Sequence, residues 1–103
     1  MGRTHIQSEI LKAVSQPTRL KIVDLLRDGE RCVCEIFPAI NEEQSNTSRH
    51  LNLMVSAGIL SRRKEGVKIF YAVKYPEIFE IVDLSAQIMT QEITGRHTML
   101  LAA

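Results

Sequence analysis

The hydrophobic positions divide the chain into stretches of two different periods. Ile6, Ile10, Leu11 and Val14 recur at three- and four-residue spacing, which predicts a helix over 4–14. Ser15-Gln16-Pro17 restarts the pattern, since proline costs no hydrogen bond in a first helical turn. Leu20, Ile22, Val23, Leu25 and Leu26 then carry a second helix, which Asp28-Gly29 stops. A short helix over 31–40 and a longer one over 44–57 flank the polar Asn41-Glu42-Glu43. Leu51, Leu53, Met54 and Val55 supply the apolar contacts of the longer one, and Gly58 terminates it. Two helices joined in this way form a helix-turn-helix.

After Gly58 the period changes to that of strands. Segments 59–63 and 67–73 read as extended chain around Lys64-Glu65-Gly66, a glycine-bearing hairpin turn. Tyr75-Pro76 opens a last helix, 76–94, whose apolar residues run from Ile78 and Phe79 to Met89 and Ile93. That set is too wide for one core-facing stripe, so part of it is expected to pack on a second subunit. Gly95-Arg96-His97 is expected to end the helix, leaving 99–103 as a tail that folds back or frays. The expected fold is mainly α with a β-hairpin wing, a single winged helix-turn-helix domain over 1–103. Within it, 32–57 is the helix-turn-helix, 59–73 the wing, and 4–14 and 76–94 the dimerisation helices.

Composition adds few constraints. A chain of 103 residues, 45% hydrophobic and 24% charged, suits one globular domain. The net charge of +1 does not by itself indicate nucleic acid, so the distribution of charge has to. Gln44, Ser45, Asn46, Thr47, Ser48, Arg49 and His50 open the second helix of the motif, the part that enters a major groove. Gln and Asn suit adenine edges, Arg suits guanine, and Ser and Thr reach bases or phosphates. A polar first turn also occurs on any solvated helix; the helix-turn-helix context favours DNA reading. His50 has two readings, phosphate contact and packing beneath the helix. Arg62, Arg63, Lys64 and Lys68 bracket Gly66 and would let the hairpin follow the phosphates or the minor groove. A charged hairpin equally protects a sheet edge, and the preceding recognition helix tips the reading toward DNA.

No apolar run approaches the roughly 20 residues that span a bilayer, and no signal peptide opens the chain. A cytoplasmic protein with no membrane partner is expected. Cys32 and Cys34, one residue apart, would close too small a loop to act as a structural staple, so reduced thiols are expected. No spacing suggests a catalytic set or a phosphate loop, so an enzyme is not expected, nor a structural cofactor.

From Leu11 to Tyr71 the chain resembles the ArsR/SmtB family of metal-responsive repressors. The likeness runs through Pro17-Thr18-Arg19-Leu20-Lys21-Ile22, Cys32-Val33-Cys34-Glu35-Ile36, Ser48-Arg49-His50-Leu51, Ala57-Gly58-Ile59-Leu60, and Arg63-Lys64-Glu65-Gly66 to Phe70-Tyr71. The resemblance implies a homodimer joined by the first and last helices. It also implies a double-stranded, imperfectly palindromic operator and release by an inducer. Cys-Val-Cys followed by an acidic residue is similar to the signature of the arsenic and antimony sensors. The resemblance therefore implies As(III) or Sb(III) as inducer, with Cys32 and Cys34 as ligands. The last helix offers only Asp83, Ser85 and His97 where zinc sensors carry a carboxylate–histidine set, and no cysteine precedes Cys32 as in cadmium and lead sensors.

Two thiolates one residue apart suit a thiophilic ion better than zinc. Positions two apart in a helix point to opposite sides, so both sulfurs converge only if the backbone near Cys32 is non-helical. Pro38 would remove a helical hydrogen bond to the carbonyl of Cys34. Its simplest accommodation starts the helix after Cys34 and leaves both cysteines in or just before the first turn; a kinked helix is the other. Some arsenic sensors of the family hold a third cysteine where this chain has Phe37, so a third ligand must come from elsewhere. Three alternatives stand beside the metalloid reading: a thiol-redox switch at the same pair, a ligand-independent regulator whose cysteines are small core residues, and a winged helix that binds RNA or protein.

Overall fold

The computed structural model describes residues 2–102, with side chains characterised through Arg96. Helix α1 (Arg3–Lys12) leads to Ala13 and Val14, which are buried although no residue of α1 itself is. Helix α2 (Pro17–Leu25) has Pro17 in its first turn, and the Gln16 side chain caps it by accepting from the Arg19 backbone N–H. A 3₁₀ turn over Leu26–Asp28 follows, and Gly29 leaves it at φ 127°, a conformation that disfavours any residue with a Cβ.

Next come strand β1 (Arg31–Cys32), helix α3 (Val33–Ala39) and helix α4 (Gln44–Ser56). The wing consists of β2 (Leu60–Glu65) and β3 (Lys68–Val73), and helix α5 (Glu77–Ala102) closes the chain. The three strands form one antiparallel sheet in the order β1-β3-β2. The core lies where α2, α3 and α4 meet the base of the wing. Ile22, Ile36, Leu51 and Met54 are fully enclosed there, and Tyr71 of β3 closes one side.

The expected winged helix-turn-helix is the observed fold, with four local differences. β1 is a third strand that periodicity did not predict, because two residues cannot display an alternation of period two. α3 begins at Val33 rather than after Cys34. Its cap is a capping box in which Cys32 Sγ accepts from the Cys34 N–H at 3.2 Å and the Glu35 carboxylate accepts from the Cys32 N–H at 3.4 Å. The wing turn falls at Gly66-Val67, with Glu65 opposite Lys68 and Gly66 at φ 61°.

The last difference is that α5 continues through Gly95 instead of ending there. A single glycine costs a helix only about 1 kcal/mol relative to alanine. The neighbouring Glu92–Arg96 ion pair, four residues apart, offsets part of that. The reading of 99–103 as a packed or frayed tail concerns side chains outside those described.

Among the described residues, α5 is anchored at its start. Ile78 is buried and Phe79, Ile81 and Val82 are half-buried, whereas every residue from Asp83 to Arg96 is exposed. Arg27 fixes the anchor by holding both oxygens of Asp83, at 2.6 and 3.3 Å, while bonding Asp24 and lying over the Phe79 ring. The radius of gyration, 16.2 Å, exceeds the roughly 13 Å of a compact domain of this length because α5 projects from the body.

Replacing Leu51 by alanine should lower unfolding stability by about 2–5 kcal/mol, since its side chain is wholly enclosed where α4 meets the other helices. Urea denaturation at fixed protomer concentration measures this, and Leu53→Ala on the exposed face of the same helix should cost far less.

Candidate nucleic-acid interface and thiol site

α4 is amphipathic along its length, and its buried stripe decides which polar residues face outward. Thr47, His50, Leu51 and Met54 form that stripe. Gln44, Ser45 and Arg49 are exposed, and Asn46 and Ser48 are half-buried. Asn46 is held on both sides, its Nδ2 donating to Glu42 at 2.8 Å and its Oδ1 accepting from Arg49 at 2.7 Å. The surface of the first turn is therefore a hydrogen-bonded row of Glu42, Asn46 and Arg49, with Gln44 and Ser45 beside it.

Thr47 and His50 belong to the inner side. The Thr47 hydroxyl is buried and has no hydrogen-bond partner, which leaves its methyl to account for the position. His50 Nδ1 accepts from Arg19 Nε at 3.2 Å, and Arg19 Nη1 donates to the carbonyl of Lys12 at 3.2 Å. One guanidinium thus ties α4 to α2 and to the end of α1. Burial depresses the pKa of His50, and the positive charges of Arg19 and Arg49 depress it further; Glu42 opposes them weakly.

The four wing cations do not form a single patch. The register puts Arg62 opposite Tyr71 and Lys64 opposite Ile69, on one face of the hairpin. Arg63 opposite Phe70 and Lys68 opposite Glu65 lie on the other. All four are exposed to some degree, but Arg63 is engaged by the carboxylates of Glu30 and Glu65. Arg19 and Glu30 were not singled out from the sequence. Each acts across more than 30 positions, as |i−j| is 31 for Arg19–His50 and 33 for Glu30–Arg63, and no local pattern marks such a pair.

The thiol pair lies where β1 becomes α3. Cys32 is extended, at φ −67° and ψ 144°, and stands outside the helix, while Cys34 occupies its first turn. The Cα atoms are 5.1 Å apart and the sulfurs are joined as a disulfide. Cys32 is buried and Cys34 exposed. The non-helical backbone needed for convergence is therefore present, and the cysteines are paired where reduced thiols were expected. Glu35, in the same first turn, is engaged by the Cys32 N–H and by Arg31 at 3.6 Å.

A helix-turn-helix followed by a two-stranded wing defines the winged-helix class of DNA-binding domains. Residues 16–62 match the family model described as bacterial regulatory protein, arsR family. An HTH-type transcriptional regulator of Methanocaldococcus jannaschii is 42% identical over 78 residues, which are 75% of this chain and 88% of that protein. The arsenical resistance operon repressor of Staphylococcus xylosus is 32% identical over 85% of this chain and 84% of its own length. A solution structure from Mycobacterium bovis, a homodimeric winged helix-turn-helix DNA-binding domain and possible ArsR-family regulator, superposes with a TM-score of 0.77. It is 26% identical and the match covers 87% of this chain and 83% of that one. The chain belongs to the ArsR family of transcriptional regulators. Among its described residues no helix is long and apolar enough to cross a membrane.

Protonating His50 would put a proton on the nitrogen that accepts from Arg19. Because its folded pKa lies below the ordinary 6.5, the unfolded chain binds more protons between the two values. The stabilising contribution is complete above pH 6.5 and is lost as pH falls through the folded value. Wild type should therefore lose stability below pH 6.5 faster than His50→Asn, which keeps an acceptor but does not titrate. The difference is bounded by about 1.4 kcal/mol per pH unit per protomer and is readable from urea midpoints.

Proposed function

We propose that the protein is a homodimeric repressor that binds operator DNA through α4 and the wing and is released by a thiophilic metalloid, As(III) or Sb(III), bound at Cys32 and Cys34. The observation that carries the reading is the meeting of two sulfurs at the β1–α3 junction, on the helix that packs against α4. Arsenite binding to the reduced pair balances simply: As(OH)₃ and two thiols give a dithiolate As–OH and two waters. Cys34 is exposed and open to the incoming ion. Phe37 supplies no third sulfur, so the remaining position falls to hydroxide or a small thiol from solution.

DNA reading would fall to Gln44, Ser45, Asn46, Ser48 and Arg49 on the outer side of α4, with Arg62, Lys64 and Lys68 on the phosphates. Thr47 and His50 would orient that helix from beneath. The dimer reading rests on the apolar surface of the first and last helices. Ile6 and Leu11 of α1 and Leu84, Ile88, Met89 and Ile93 of α5 are 47–67% exposed. A groove lined by Leu11, Val14, Leu20, Ile81 and Val82 runs between these helices. Contiguous apolar surface of this kind marks an interface. A cytoplasmic location suits such a regulator.

The disulfide favours one second reading, a thiol-redox regulator. A disulfide has no thiolate to offer arsenite, so the two inputs exclude one another on a given protomer. A hundredfold loss of operator affinity needs about 2.8 kcal/mol of coupling for either input.

The reduced protein, titrated with arsenite on duplex from the promoter region of its own gene, should release DNA at least tenfold, and Cys32→Ser with Cys34→Ser should abolish that response. Release by peroxide in the absence of arsenite, reversed by dithiothreitol, would assign the redox input instead. Loss of binding without either treatment when Arg49 is replaced by alanine tests the reading helix separately.

A further inference from the structure

Arg63 differs from the other wing cations in its surroundings. Its Nε and Nη2 donate to the two carboxylate oxygens of Glu30, at 3.1 and 2.5 Å, and its Nη1 donates to Glu65 at 2.9 Å. The guanidinium lies over the Phe70 ring, 4.7 Å from its centroid. Planar bidentate pairing and stacking together fix the guanidinium more firmly than a lone surface ion pair would. Arg63 in turn holds the Glu30 carboxyl below the usual carboxylate range. Among the described residues no ion pair engages Arg62, Lys64 or Lys68.

The sheet register gives this clamp a direction. β3 is the middle strand, and Phe70 faces Cys32 on one side and Arg63 on the other. Cys32, Phe70 and Arg63 therefore form one transverse row from the thiol pair to the wing. Glu30, two residues before Cys32, closes the row by accepting from the guanidinium that lies over Phe70. Only two residue pairs join β1 to β3, and the Glu30–Arg63 contact adds a further side-chain link between the wing and the segment that leads into Cys32.

We propose that Arg63 is a positioning residue and not a phosphate contact: through Glu30 and across Phe70 it locks the angle of the wing to the strand that holds Cys32. A change of state at Cys32 then reaches the DNA through the wing as well as through α3 and α4. The first part stands on the geometry alone; the second rests on the sensor reading given above.

The test is operator binding as a function of salt, with duplex from the promoter region of the protein's own gene. Each phosphate contact contributes about 0.9 to the slope of log K against log salt. Arg62→Gln and Lys64→Gln should each reduce the slope by about that amount. Arg63→Gln and Glu30→Gln should leave it unchanged, both lowering affinity by a similar factor of about three to ten, and the double variant should be no weaker than either single one. If Glu30 merely withholds Arg63 from the backbone, Glu30→Gln will instead raise both affinity and slope, which overturns the assignment. A slope reduced by Arg63→Gln to the extent seen for its neighbours overturns it too. Arg63→Lys, which keeps the charge but not the bidentate fork, should behave as Arg63→Gln does and guards against a misfolded variant.

The second part is read by adding arsenite to the reduced Glu30→Gln protein. Its ratio of affinities without and with arsenite should fall at least threefold below that of wild type. An unchanged ratio overturns coupling through the wing. A wild type that arsenite does not release overturns the sensor reading and the coupling with it, while the salt slopes still decide the role of Arg63.

Discussion

The orientation of α4 is the constraint on which the rest of the surface depends. Leu51 and Met54 have no exposed surface, so rotating the helix about its axis would bring them into water and drive polar residues into the core. Burying such side chains contributes roughly 1.5–3 kcal/mol each, more than any single polar contact on the opposite face. With the inner stripe fixed, the 100° helical step turns Ser45 and Arg49 away from α2 and α3, whereas Gln44 shares the side of Leu51 and is exposed because it begins the helix. The Arg19–His50 bond refines this by fixing the N-terminal half of the helix to the end of α1. The outward polar side chains of α4 are thus positioned by the buried ones on its other side.

Cys32 concentrates several roles in one backbone unit. It pairs with Phe70 in the sheet, caps α3 with its sulfur, and shares that sulfur with Cys34. Each role requires the extended conformation it adopts, and a helical Cys32 would lose all three. A ligand or bond at its sulfur therefore acts on a residue that both caps α3 and pairs with β3. Pro38 adds to the sensitivity of this segment, since α3 lacks the hydrogen bond that the nitrogen of residue 38 would otherwise donate to the carbonyl of Cys34. A short helix with a sulfur cap and a missing internal bond has few hydrogen bonds to hold it against a change at that sulfur.

What was legible in the sequence follows from the range of each interaction. Helices α2 and α4 and the wing were readable because Pro17, Gly29, Gly58 and Gly66 act on their immediate neighbours and the apolar spacing is local. The extended Cys32 agrees with the reading from Pro38, but α3 starts at Val33, before Cys34, and holds Pro38 inside it, so the proline alone did not place the helix start. β1 was not, since it owes its existence to Tyr71 and Phe70, some 40 positions away. The inward side of Thr47 and His50 needed the phase of the buried stripe, which the run of polar residues from Gln44 to His50 conceals. Nor could the four wing cations be told apart without a register: alternation assigns Arg62 and Arg63 to opposite faces, but only the fold brings Glu30 beneath one of them. Gly95 was overvalued as a helix breaker, because its cost of about 1 kcal/mol is small beside the cooperativity of a 26-residue helix.

α5 connects these local arguments to the proposed assembly. Its first turns belong to the monomer core through Ile78 and the Arg27–Asp83 pair, and from Leu84 to Arg96 every residue is exposed. An isolated stretch of that kind is marginal in water unless its apolar face finds a partner. In a symmetric dimer the second copy would supply that face, so the helix would become ordered by the same event that pairs the two α4 helices. The separation of those reading helices would then depend on how rigidly each body is attached to α5. Arg27 is the fixed point of that attachment: it bonds Asp24 of α2 and Asp83 of α5 and covers Phe79. In that assembly half-site spacing would depend on Arg27, and its guanidinium fork suits such a joint better than the point charge of a lysine would.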